Sequence, residues 1–176
     1  MKEHNGMRPQ DICILLKIIA KRNGDWYNKD LGYELNISNS EISESLNRSM
    51  QAQLVDEEKR HVYRKNLMEF LKHGLKYVFP ESPGSMGRGI ATAHSAEPLK
   101  AKITSKEHYV WADSNGKLRG LTVKPLYRTM PDAVKKDKNL HELLSLVDGI
   151  RLGKIREQDL AIQELEKRII NDEWTR

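Results

Sequence analysis

Apolar residues at Ile12, Leu15, Leu16 and Ile19 follow the i, i+3, i+4, i+7 spacing of an amphipathic helix, and Pro9 suits its first position. Cys13, Ile14 and Ile18 add a second apolar face. A helix apolar on two sides must be covered on two sides. The expectation is that Ile14 and Ile18 meet a second copy and form a homodimer contact. Asn23-Gly24 is the expected stop. A short second helix is predicted over 28–35, with Asn28 as cap and Tyr27, Leu31 and Leu35 on one face. Gly32 inside it costs about 1 kcal/mol against Ala, which a closely crossing second helix would explain. After a turn at 36–39, Ser38-Asn39-Ser40-Glu41 reads as a capping box, the Ser38 hydroxyl accepting from the Glu41 N–H and Glu41 reaching back. The third helix then carries Ile42, Leu46 and Met50 inward and ends near Leu54-Val55.

Residues 56–65 form a polar hairpin, and Asn66 through Glu69 opens a fourth helix over 67–73, stopped by Gly74. Residues 76–79 look strand-like. Two Pro and three Gly within the last ten residues up to Gly89 mark a joint. Beyond it, 107–123 has the pattern of a β-hairpin, with Asn115-Gly116 suited to a type I′ turn. A short helix follows Pro131. Leu140, Leu143, Leu144, Val147 and Ile150 then line a longer one, broken by Gly153. A last helix over 155–170 aligns Ile155, Ile162, Leu165 and Ile169, with Trp174 beyond it.

The predicted class is therefore α+β and mainly helical: an N-terminal helix-turn-helix with a wing over 1–80, a linker over 81–106, and a small β-hairpin plus a helical C-terminal region over 107–176. Two helices, a tight turn and a capped third helix make a helix-turn-helix. The run from Leu31 to Leu46, with Leu54-Val55 after it, resembles the DNA-binding segment of bacterial winged-helix regulators of the MarR-like kind. A Gly commonly precedes the Leu-Val in that family, and Gln53 stands there in this chain. The resemblance covers about residues 8–80 and implies a cytoplasmic, homodimeric repressor acting on double-stranded DNA. Residues from Asn66 to the Gly-rich joint more weakly resemble winged-helix antitoxins encoded beside nucleotidyltransferase-like toxins, which would make a cognate toxin protein the alternative partner.

Composition narrows the chemistry. One Cys in 176 residues excludes an internal disulfide framework and an all-Cys zinc site, and points to a reducing compartment. Residues 12–20, interrupted by Lys17, are too short to span a bilayer, and 1–10 lack an apolar signal core, so no membrane role is expected. Net charge is +5, with residues 81–130 the most basic at eight cations to four acids. The His residues at 4, 61, 73, 94, 108 and 141 form no H-x-x-x-H pair, and no Ser sits in G-x-S-x-G. The chain is expected to be no enzyme and to need no cofactor or metal.

The candidate DNA-binding residues fall in two groups. Ser38 opens the third helix, and Asn39, Ser40, Ser43, Glu44, Asn47 and Arg48 lie opposite its apolar face. These types match base edges: Arg to guanine, Asn to adenine, Glu to cytosine, Ser to several. A solvated face in a protein-binding winged helix stands beside that reading, since the helix holds one Arg against two Glu. Lys59, Arg60, His61, Arg64 and Lys65 would touch phosphates from the wing. The acids Asp56, Glu57 and Glu58 just before them equally suit a plain solvated hairpin. Arg88, in the Gly-rich joint, is a further candidate for the DNA backbone. The rear half reads either as an oligomerisation or partner-docking region or as a stabilising extension.

Overall fold

The computed structural model describes residues 6–22 and 24–174; Asn23 of the expected helix stop, His4 and residues 1–5 of the segment read for a signal core lie outside them. Five helices come first: α1 (Pro9–Ala20), α2 (Asn28–Leu35), α3 (Asn39–Gln51), α4 (Arg64–His73) and the single turn α5 (Leu75–Val78). Three strands follow, β1 (Met86–Ala91), β2 (Tyr109–Ala112) and β3 (Leu118–Thr122), then α6 (Met130–Ala133), α7 (Lys138–Leu152) and α8 (Ile155–Ile169). The chain is α+β and mainly helical. No helix among the described residues is long and apolar enough to cross a membrane.

Helix α1 is the centre of the molecule. Every residue from Asp11 to Ala20 is buried. One side packs on α2 and α3, and another on α7. The expected dimer contact is therefore corrected: Ile14 is fully buried and Ile18 is 7% exposed within the single chain. A second apolar face calls for a cover, and a later helix of the same chain supplies it. Sequence spacing has no means of separating those two sources.

The joint and the hairpin also differ from expectation. Residues 86–91, inside the segment read as a linker, form β1, which pairs antiparallel with both β2 and β3. Strands β2 and β3 pair in parallel at Tyr109–Leu121 and Val110–Thr122, so the three close on one another. The arms around Asn115-Gly116 are strands, but they do not form an antiparallel hairpin. Residues 113–117 instead pass over β1, where a Cβ on Gly116 would lie 2.4 Å from the Gly89 Cα. A Cβ on Gly89 would come within 1.8 Å of the Trp111 carbonyl oxygen. Only glycine allows backbones that close, so the Gly-rich stretch is a strand built for crossing. Of residues 76–79, read as strand-like, the first three are helical and belong to α5, because Tyr77 and Val78 donate to the Gly74 carbonyl.

Front and rear halves share one core, running from Ile12 through Leu67 and Trp111 to Ile169. Buried Asp148 of α7 ties the sheet to it, accepting from Thr92 Oγ1 (2.7 Å), Trp111 Nε1 (2.7 Å) and Arg151 Nη1 (2.8 Å). Arg151 Nε also donates to the Phe79 carbonyl at 2.9 Å, fastening the joint. On α8, Leu165 and Ile169 of the aligned stripe are fully buried within the chain, whereas Ile155 is 79% exposed. Helix α8 packs on α7 and α4.

Candidate nucleic-acid interface

The candidate interface centres on α3. Ser38 caps it, its hydroxyl accepting from the Glu41 N–H at 3.2 Å. The reciprocal half of the expected box is replaced. Glu41 Oε1 accepts from Gln10 Nε2 (3.0 Å) and Arg48 Nη2 (2.7 Å). Desolvation opposes the Glu41 charge, but those donors outweigh it and hold the carboxyl below its usual range. Ile42, Ser45, Leu46 and Ser49 are buried, which fixes the rotation of the helix. That rotation leaves Ser38, Asn39, Ser40 and Ser43 exposed, with Glu44 and Asn47 half-buried beside them. The turn before α3 also explains Gly32: a Cβ there would meet Asn39 Oδ1 at 2.7 Å and the Ile37 carbonyl at 2.8 Å.

Arg48 departs from the expected row. It is 8% exposed and turned toward α1. Its Nε and Nη2 hold both carboxylate oxygens of fully buried Asp11, at 2.9 and 2.7 Å. Such a two-pronged pair commits Nε and Nη2 to the buried carboxylate of α1 instead of a base edge. The Asp11 and Glu41 carboxylates raise the Arg48 pKa despite its burial. Its position beside the polar row suggested readout; an acid 37 residues earlier withdraws it.

Residues 54–63 form a short loop closed by a Val55–Val62 antiparallel bridge and a Tyr63 N–H bond to the Leu54 carbonyl at 2.8 Å. Asp56 organises it, accepting from the Arg60 and His61 N–H groups and pairing with His61 Nδ1 at 2.9 Å. One of the three acids is thus spent inside the loop. Lys59 adopts a left-handed backbone (φ 59°) at the tip. Arg60 lies 4.6 Å over the Trp26 ring and donates to the Trp26 carbonyl, yet stays exposed. His61 and Lys65 are exposed as well. Arg64 is diverted: its Nη1 donates to the Ile169 carbonyl at 2.8 Å, at the end of α8. So Lys59, Arg60, His61 and Lys65 cluster near the loop, while Arg48 and Arg64 serve the fold.

Two exposed residues beside α3 were missed. Tyr33 is 86% exposed, and Asn36 sits in the turn with φ 53°. Both line a cleft of about 480 Å³ whose far wall includes Asp132 and Lys136. Tyr33 was detectable, since it lies opposite Leu31 and Leu35 on α2; its neighbours across the cleft were not. Compared with known proteins, the chain matches no family model, no curated protein and no solved structure.

Proposed function

We infer that the chain is a sequence-specific DNA-binding repressor that acts as a homodimer in the cytoplasm. In this reading α2, the 36–38 turn and α3 are its helix-turn-helix, and residues 54–63 are its wing. One observation carries the reading: Asn39, Ser40 and Ser43 stand exposed on the first turns of a helix whose opposite face is locked in the core. The first residues of a recognition helix are the ones that enter a major groove. Asn39 and Asn47 suit adenine, and Ser40 and Ser43 suit several bases. Lys59, Arg60, His61 and Lys65 supply phosphate contacts, which position a protein without reading sequence. The second copy uses a surface other than α1. A toxin docked by the rear half, the alternative partner, finds Leu165 and Ile169 of α8 already inside the core.

The test is selection of a randomised duplex library by the full-length chain at low salt, followed by sequencing. One enriched motif is expected. Asn39→Ala should cost roughly 1–3 kcal/mol on the selected duplex and almost nothing on random sequence. Equal losses on both duplexes would remove base readout, and failure of the unmodified chain to retain any duplex would remove the whole reading.

A further inference from the structure

Arg88 of β1 and Arg119 of β3 are directly opposed in the antiparallel ladder, and both are exposed. Opposed residues project from the same face of a sheet, and like charges placed there cost folding stability. A chain normally answers such a pair with an acid. Here, among the described residues, neither guanidinium has a carboxylate within ion-pair distance. Asp113 is positioned to help, since its N–H donates to the Arg88 carbonyl at 3.0 Å. Its carboxylate goes instead to Lys135 at 2.6 Å. The next residue, Lys136, lines the cleft shared with Tyr33 and Asn36. Lys135 and Lys136 thus stand between the cleft beside the turn before α3 and Asp113, whose backbone meets that of Arg88.

Helix α3 creates the need for such a pair. Its only cation, Arg48, is buried against Asp11, and it also carries Glu41 and Glu44. Affinity for duplex DNA scales with the number of phosphates neutralised. A readout helix without an accessible cation must draw that affinity from elsewhere on the molecule. The planar guanidinium fork matches phosphate oxygens two at a time.

We propose that Arg88 and Arg119 are a phosphate clamp that grips the duplex backbone beside the segment read by α3. This extends the DNA interface onto the small sheet and rests on the DNA-binding reading above. The clamp contributes affinity without sequence preference, and the stability cost of opposing two arginines is offset when DNA arrives.

The experiment is a salt titration of duplex binding by the full-length chain, using the library-selected duplex and a random-sequence duplex of equal length. Arg88→Gln/Arg119→Gln and Arg88→Lys/Arg119→Lys are compared with the unmodified chain, and the melting temperature of each is measured. The glutamine pair should lower the slope of log K against log salt by about 1.8, for two lost phosphate contacts. It should weaken both duplexes alike, roughly 10–100-fold near 0.1 M salt, with a melting temperature no lower than the parent's. The lysine pair should keep the slope. If the glutamine pair binds with an unchanged slope, the clamp is overturned and the α3 reading stands. If the unmodified chain binds neither duplex, both fall together. A loss that tracks a fallen melting temperature, or a lysine pair whose salt slope falls as far as the glutamine pair's, makes the arginines structural and overturns the clamp.

Discussion

Charges buried in α1 tie together segments far apart in sequence. Asp11 accepts from the Arg8 N–H at 2.8 Å as well as from Arg48. Lys17 is paired with Glu34 of α2 at 2.6 Å and with Asp137, the residue that caps α7. Desolvation opposes the Lys17 charge, yet the hydrogen bonds it donates to Asp137 and Glu34 outweigh it, and its pKa is raised. Breaking a buried pair by deleting one partner typically costs about 3–5 kcal/mol, because the other charge stays behind. Asp11→Ala should therefore lose about 3 kcal/mol in urea unfolding, with Glu41 sparing part of the full penalty. Arg48→Ala should also lower stability, and any loss of DNA affinity should be equal on selected and random duplexes. An Arg48→Ala chain of unchanged stability that fails only on the selected duplex would restore Arg48 as a base reader.

Local patterns at the scale of elements identified starts and stops well: Pro9 opens α1, Ser38 caps α3, and Gly153 ends α7. These signals work because the causes lie within a few residues of the effect. The sheet was legible only in part. Its β2 and β3 arms are β-prone, but two of the six residues of β1 are glycine, and its role depends on backbones about twenty or more residues away. The same limit applies to the site. The polar row Asn39, Ser40 and Ser43 follows from helical period alone, whereas the diversion of Arg48 and Arg64 depends on distant partners. Gly32 makes a sharper test of packing against propensity. Helix propensity predicts that Gly32→Ala gains about 1 kcal/mol. The Ile37 carbonyl 2.8 Å from the new Cβ is backbone and cannot swing aside. Overpacking of that kind costs about 1–3 kcal/mol. Gly32→Ala should therefore be net destabilising by thermal melting, with α3 displaced; a rise in melting temperature would show that the turn yields.

Charge and turn signals suggest two modules for the whole molecule, with a rear half that can be removed. The packing supports a different expectation. Taking away residues 132–176 strips α7 from one face of α1 and α8 from α4. It deletes Asp137 beside Lys17 and the Ile169 carbonyl that holds Arg64. It also opens Ile14 and Ile18 to water. Each fully buried aliphatic side chain contributes about 1.5–3 kcal/mol through burial, and domains of this kind have only about 5–15 kcal/mol of net stability. Several such side chains uncovered together, with Lys17 losing its α7 partner, exceed that margin. Residues 1–131 alone should show no cooperative urea transition, and the full-length chain should unfold in a single one, followed in parallel by circular dichroism and by Trp26 and Trp111 fluorescence. Two separate transitions, or a truncated chain that melts cooperatively and still holds duplex DNA, would restore the two-module reading and make α7 a docked extension of an independent front half.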